Sequence, residues 1–161
     1  MAKAKKKKNF FGKKSMDFIK EYMNNYAPTG FEAPGQRIWL DYIKPYIDDY
    51  FIDNYGTAVG VINPDAKFKV VIEAHADEIA WYVKYITSDG FIHVARNGGS
   101  DHQIAPAMRV HIHTRKKGLV TGVFGWPAIH VRPRTNEKKP TTSTIWIDCG
   151  CSSKEEVEKL G

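Results

Sequence analysis

The side chains of this chain best suited to chemistry are His75 and Asp77, which follow the short apolar run at residues 70–72. In an extended backbone, residues two positions apart point to the same side. A metal ion could then bind an imidazole nitrogen of His75 while the carboxylate of Asp77 orients the ring. A His-x-Asp taken alone is more often an ordinary polar loop at a strand end, because short motifs match by chance. The rest of the chain must decide between these interpretations.

The apolar run predicts the element that positions these side chains. Its β-branched residues indicate a buried strand at residues 68–74, and ligands of α/β sheets gather at the carboxyl ends of such strands. Upstream, Ser15 is a candidate cap for a first amphipathic helix, and a second helix and a hairpin follow. The predicted upstream segments are the helices 16–23 and 36–43 and the strands 48–53 and 58–62. This order predicts the first part of an α/β domain over residues 15–97.

The second part of the chain predicts a small β-rich domain over residues 98–161. The polar, glycine-containing stretch 96–101 follows a predicted hairpin and marks the boundary. Short alternating or apolar runs then recur between turns, which is typical of a small β-barrel. The predicted strands of this part are 109–114, 119–124 and 144–148, and the strands of the preceding hairpin are 79–86 and 91–95. Ser152 and Glu155 are spaced as a capping box and predict a closing helix.

Composition describes a globular protein without a membrane span. The 161 residues are 42% hydrophobic and 26% charged, and no apolar run approaches the ~20 residues that a membrane helix needs. We therefore expect a cytoplasmic protein. The net charge of +6 comes from residues 1–14, whose seven lysines leave 17 basic against 18 acidic residues elsewhere. This segment predicts a disordered tail that contacts polyanions without specificity, so no specific nucleic-acid partner is expected.

Other candidate sites have weaker support. His111 and His113 share one face of a predicted strand, a spacing found at zinc sites, but an exposed polar face explains them better. His130 follows a Gly-Trp-Pro turn, and its loop could reach a neighbouring site. Cys149 and Cys151 lie too close for an easy mutual disulfide and predict reduced, structural thiols. Phosphate-loop, serine-nucleophile and Cys-x-x-Cys motifs do not occur in the sequence, which favours metal-assisted hydrolysis.

Several sequence blocks occur in an order that resembles the deblocking or glutamyl aminopeptidase family of dinuclear metallopeptidases. The blocks are Thr-Gly-Phe-Glu at 29–32, Asp-Asn-Tyr-Gly at 53–56, Ala-His-Ala-Asp-Glu-Ile at 74–79, Gly-Gly-Ser-Asp at 98–101, Gly-Val-Phe-Gly-Trp-Pro-Ala-Ile-His at 122–130 and Ile-Asp-Cys-Gly-Cys-Ser-Ser-Lys-Glu-Glu at 147–156. The resemblance runs from about residue 16 to the end. It is far more specific than the His-x-Asp motif alone.

This resemblance implies an α/β/α zinc-peptidase-like domain, interrupted by a small β-barrel-like domain that mediates homo-oligomerisation. His75 would be a metal ligand, and Asp77 the catalytic carboxylate that orients it. The implied cofactors are two divalent metal ions, zinc or cobalt, with manganese or magnesium as alternatives. They would hold a bridging water that releases amino-terminal residues from peptide substrates. The substrate-binding residues remain unassigned.

The length of the chain limits this expectation. In the resembling family the remaining metal ligands and the general base lie beyond the inserted domain, whereas hydrolytic zinc needs about three protein ligands. We therefore expect the amino-terminal half of an aminopeptidase, inactive by itself. The alternatives are a non-catalytic oligomerisation or binding module and a nucleic-acid binder that works through the lysine tail.

Overall fold

A computed structural model describes residues 11–133 and 135–161, so most of the lysine-rich tail predicted at residues 1–14 lies outside the described residues. The chain is a mixed α/β protein, as predicted. Its helices are α1 (Lys13–Asn24), α2 (Ala33–Ile43) and α3 (Lys154–Lys159). Its strands are β1 (Asp49–Ile52), β2 (Ala58–Val61), β3 (Ala80–Ile86), β4 (Ile92–Asn97), β5 (Arg109–Thr114), β6 (Gly118–Gly125) and β7 (Trp146–Asp148). The chain forms two compact units, one ending at Glu78 and the other spanning Ile79–Gly161.

In the first unit, α1 and α2 are held together by aromatic side chains. The rings of Phe18 and Tyr42 stack with their centroids 3.9 Å apart. Helix α1 starts earlier than predicted, with Gly12 rather than Ser15 at its N-cap. Ser15 instead accepts a hydrogen bond from the Tyr42 hydroxyl at 2.9 Å. The helix therefore includes Lys13 and Lys14, which the sequence had assigned to the tail.

The predicted hairpin is confirmed as the antiparallel pair β1 and β2. Its turn is organised by Asp53, whose carboxylate accepts hydrogen bonds from the backbone N–H groups of Tyr55 and Thr57, each at 2.9 Å. Asp and Asn side chains favour turns because they can bond the backbone a few residues ahead. In this unit the turn chemistry predicted the hairpin correctly.

The predicted buried strand at residues 68–74 is wrong. This segment forms no strand in the structure, and its apolar side chains are exposed: Val70 by 74%, Val71 by 82% and Ile72 by 96%. β-Branched residues favour strands only where a neighbouring strand supplies backbone partners and a covering surface. Among the described residues no strand pairs with this segment, so the strand preference of its residues does not produce a strand.

The second unit is built on a five-stranded antiparallel sheet with the order β3-β4-β7-β6-β5. Its core consists of buried apolar side chains from the strands, the connecting loops and α3. They are Ile92, Val94, Ala105, Phe124, Ile145, Ile147 and Val157. Trp81 adds an edge contact to Phe124, with ring centroids 5.3 Å apart. The predicted β-rich character of this part of the chain is confirmed, while a domain boundary after Asn97 and a closed barrel stay predictions.

The closing helix α3 is capped one residue later than predicted. Ser153, not Ser152, is the N-cap, and its hydroxyl accepts a hydrogen bond from the Glu156 N–H at 3.2 Å. The Glu156 carboxylate in turn accepts one from the Ser152 N–H at 2.7 Å. Two consecutive serines before consecutive glutamates fit a capping box in either register, so the sequence alone could not choose between them.

Candidate functional site

Hydrogen bonds join the segment that carries His75 and Asp77 to the turn between α1 and α2. Pro28 and Glu78 form an isolated parallel bridge. The Glu78 N–H donates to the Ala27 carbonyl at 2.8 Å, and the Ala27 N–H donates to the Glu78 carboxylate at 3.0 Å. Although residues 68–74 form no strand, the end of this segment therefore has a defined backbone position.

His75 and Asp77 contact each other, as their spacing predicted. The Nδ1 atom of His75 lies 3.1 Å from Oδ1 of Asp77 and 3.0 Å from the backbone oxygen of Asp77. Both oxygens are acceptors, so Nδ1 is the nitrogen that carries the proton. In the neutral ring this leaves the lone pair on Nε2, and the His75 side chain is 85% exposed. The pair thus presents the form of an imidazole that can bind a metal ion.

Asp77 is held by a second partner that sequence reasoning missed. The Thr29 hydroxyl donates to Oδ2 of Asp77 at 2.6 Å. This hydrogen bond, followed by the contact with His75, holds the pKa of the Asp77 carboxyl below its ordinary value. Thr29 lies in one of the blocks that carried the family resemblance, but its spacing of 48 residues from Asp77 gave no signal of a contact.

His75 and Asp77 together can supply only part of a metal site. His75 offers an oriented imidazole, and Asp77 is already engaged as its acceptor. Within residues 11–133 and 135–161 there is no cluster of three or more His, Cys, Asp and Glu side chains that could hold a metal ion. A hydrolytic zinc site needs about three protein ligands and an open position. The described residues therefore supply part of a site.

The other histidines lie in the second unit. His111 and His113 alternate with half-buried residues along β5 and share its exposed face, as predicted. His130 lies in a short 3₁₀ turn at Ile129–Val131. Nearby, the guanidinium of Arg132 lies 4.1 Å from the centroid of the Trp126 ring and pairs with Glu137. A role for His130 in an active site stays a prediction.

Cys149 and Cys151 are both free cysteines in the structure, with no disulfide between them. Both pack against the core of the second unit. Burial, followed by the contact with Cys151, raises the pKa of the Cys149 thiol. A raised pKa lowers the thiolate fraction at neutral pH, which is typical of a structural cysteine.

Comparison with known proteins identifies the family. A profile of the M42 glutamyl aminopeptidase family matches residues 56–161, which is most of the chain and includes His75 and Asp77. The chain belongs to the M42 family. The match confirms the family that the sequence blocks resemble.

Two curated relatives of this M42 chain carry aminopeptidase names. The lysyl aminopeptidase of Pyrococcus furiosus is 30% identical over 148 residues, covering 90% of this chain and 42% of the relative. The putative aminopeptidase FrvX of Escherichia coli is 28% identical, covering 91% of this chain and 41% of the relative. The M42 chain thus spans about two fifths of the length of these relatives.

Solved structures share the fold of the M42 chain. A TET aminopeptidase from a marine sediment archaeon, Thaumarchaeota archaeon SCGC AB-539-E09, has a TM-score of 0.85 and 30% identity over 92% of this chain and 41% of its own. Aminopeptidase APDkam598 from Desulfurococcus kamchatkensis has a TM-score of 0.81 and 36% identity over 90% of this chain and 39% of its own. The Pyrococcus horikoshii TET1 peptidase, which can assemble into a tetrahedron or a large octahedral shell, shares the fold at a TM-score of 0.71, 24% identity and coverage of 91% and 43%.

In the part of the M42 chain that the structure describes, no helix combines the length and the apolar character required to cross a bilayer.

Proposed function

We propose that this chain is the amino-terminal part of a metal-dependent aminopeptidase that removes amino-terminal residues from peptides in the cytoplasm. Its membership of the M42 family supports the reaction class. The observation that carries the proposal is the pairing of His75 Nδ1 with two oxygens of Asp77, which leaves Nε2 as the metal-binding nitrogen. His75 is then one metal ligand, and Asp77 is the carboxylate that fixes the tautomer and orientation of the ring.

The residues of this chain have defined tasks in the proposed reaction. Asp77 holds the proton on Nδ1 of His75 and keeps the ring directed at the metal position. Two divalent ions, zinc or cobalt, with manganese or magnesium as alternatives, would supply Lewis acidity and an activated water when bound. The remaining ligands must come from polypeptide other than the described residues, among which no complete ligand cluster exists.

The exposed apolar segment at residues 70–72 supports a contribution from further polypeptide. Three consecutive β-branched side chains exposed by 74% to 96% are unusual for a finished domain surface. We propose that the intact protein covers this segment with neighbouring strands and so completes an α/β/α domain. In that arrangement the β-rich part, predicted at residues 98–161, is an inserted barrel-like domain that mediates homo-oligomerisation.

The test of the proposed function begins with the gene. We expect the reading frame beyond the Gly161 codon to encode further His, Asp and Glu residues, and the full-length product to hydrolyse aminoacyl p-nitroanilides when zinc or cobalt is added. The His75→Ala variant should lose at least about tenfold in metal affinity, the scale typical of losing a metal-site interaction. His93→Ala, a histidine on β4, is the matched control. Robust turnover by the 161-residue chain alone would contradict the proposal.

A second candidate function is a non-catalytic oligomerisation module. It is favoured by the second unit, which contains its own apolar core. In that case light scattering of the chain should show a homo-oligomer whose mass is unchanged in the His75→Ala variant. In the full-length product, zinc-dependent shifts of the His75 resonances would favour the peptidase. No zinc-dependent shift of these resonances, together with stable assembly, would favour the module.

A further inference from the structure

The turn at residues 27–30 contacts the site segment at more than one point. Besides the backbone hydrogen bond from Glu78 to Ala27 and the bond from the Ala27 N–H to the Glu78 carboxylate, the Thr29 hydroxyl donates to Oδ2 of Asp77 at 2.6 Å. These contacts join positions about fifty residues apart within the first unit. The turn therefore sets the position of the Asp77 backbone and, separately, the orientation of its carboxylate.

The two oxygens of the Asp77 carboxylate contact different partners. Oδ2 accepts from the Thr29 hydroxyl, and Oδ1 lies 3.1 Å from Nδ1 of His75. A hydrogen bond from a hydroxyl to a carboxylate is charge-assisted and short, so it restrains rotation of the carboxylate more strongly than a neutral bond would. With Oδ2 fixed by Thr29, Oδ1 stays aimed at the imidazole.

Thr29 is itself held in place by the turn that follows it. The Phe31 N–H donates to the Pro28 carbonyl at 2.8 Å. Gly30 has φ = +90°, a conformation that glycine adopts at little cost, and its N–H donates to the Glu32 carboxylate at 2.6 Å. Threonine adds a β-branched side chain with few χ1 rotamers. The hydroxyl is thus presented from a fixed backbone by a stiff side chain.

We propose that Thr29 is a positioning residue for the metal-binding ring of His75, acting through Asp77. The inference rests on the proposed role of His75 and Asp77 and adds a residue from a distant part of the sequence. Removing the hydroxyl frees the Asp77 carboxylate to rotate, which weakens its hold on the Nδ1 proton. The imidazole then spends more time in the tautomer with the proton on Nε2, in which Nε2 has no lone pair to offer a metal ion.

The first measurement is the tautomer of His75 in the 161-residue chain, obtained from long-range ¹H–¹⁵N NMR spectra at pH 8 without metal. His75→Gln assigns the resonances. We expect the Nδ1–H tautomer to dominate in the parent chain, to lose population in Thr29→Val, and to be retained in Thr29→Ser, which keeps the hydroxyl. Because the Thr29 side chain is exposed, the valine substitution removes a hydrogen bond without opening a cavity.

A matched control removes another hydroxyl of the same unit. Ser15→Ala deletes the group that accepts from Tyr42 and should leave the His75 tautomer unchanged. Amide spectra of each variant report whether the turn at residues 27–30 keeps its structure. An unchanged tautomer in Thr29→Val, or an equal change in Thr29→Ser and Thr29→Val, would overturn the proposal.

A zinc titration of the full-length product named above, followed at the His75 resonances, separates this inference from the proposed function. We expect Thr29→Val to weaken zinc binding at His75 by up to about tenfold, the lower end of the range for residues behind a metal ligand, and Thr29→Ser to restore it. Zinc binding by every variant with an unchanged tautomer would defeat only the role of Thr29. A shifted tautomer with no zinc binding at His75 in any variant would defeat the proposed function.

Discussion

The two units of this protein differ in what holds them in shape. In Ile79–Gly161, seven buried apolar side chains form one contiguous cluster across the sheet and α3. In the first unit, the buried apolar side chains of the described residues are Ala27 and Leu40. There, the candidate site is held by hydrogen bonds from the turn at residues 27–30 to Asp77 and Glu78. Apolar packing thus stabilises the second unit, which does not contain the candidate site. In the first unit, hydrogen bonds position the candidate site.

This difference has a physical consequence for dynamics. Regions with few buried apolar contacts open at a lower free-energy cost than packed cores. A metal ligand in such a region gains order from its hydrogen bonds and, when metal binds, from the ion itself. The comparison can be tested by perturbing equivalent features in the two units.

The largest difference is expected from truncating apolar side chains. Ile145 is completely buried, so Ile145→Ala should lower the free energy of unfolding of the second unit by about 2 to 5 kcal/mol. Val71 is 82% exposed, and Val71→Ala should change the stability of the first unit by no more than about 0.5 kcal/mol. Urea unfolding followed by amide NMR of each unit measures both. Similar losses in the two variants would mean that the units do not differ in packing.

An intermediate difference is expected at two glycines with left-handed backbone conformations. Gly90 has φ = +83°, and a Cβ there would lie 2.7 Å from the carbonyl oxygen of Cys151. Gly56 has φ = +85°, with no atom within 4 Å of such a Cβ. Gly90→Ala combines backbone strain with a backbone clash and should cost about 2 to 4 kcal/mol. Gly56→Ala carries only the strain, about 1 kcal/mol.

The same urea experiment measures the glycine pair. Gly118→Ala, with φ = +68° and open space around the added Cβ, is a control within the second unit and should resemble Gly56→Ala. If Gly118→Ala were as destabilising as Gly90→Ala, the close approach to Cys151 would not be the cause of the larger effect.

The smallest effect concerns the acid stability of the β1–β2 hairpin. The hydrogen bond from the Thr57 N–H, with support from Tyr55 and Gly56, lowers the pKa of Asp53 in the folded state. A carboxyl with a lowered folded pKa contributes stability that is present above its unfolded pKa of about 3.9 and is lost as the pH falls through the folded value. We expect the protection of the Thr57 amide against hydrogen exchange, measured relative to the unfolded chain at the same pH, to fall below pH 4. Asp53→Asn should remove that pH dependence, whereas Asp65→Asn, in another turn, should retain it.

Local rules predicted many elements of this fold correctly. Alternating apolar residues located β5 without error, and the Asp53 turn located the β1–β2 hairpin. The capping serine of α3 was misplaced by one residue because adjacent serines and glutamates allow two registers. The strand expected at residues 68–74 failed for a different reason, since a strand exists only when another strand pairs with it.

What the sequence alone determined is the contact between His75 and Asp77 and the family to which the chain belongs. Residues two positions apart meet through local backbone geometry, so their contact followed from spacing, and ordered motif blocks identified the family. Only the tertiary structure decided that Thr29, 48 residues away, takes the second oxygen of Asp77. It also decided that the apolar run before His75 lies exposed. Both outcomes depend on which distant segments pack together, and such packing is set by the folded chain as a whole and not by any local pattern.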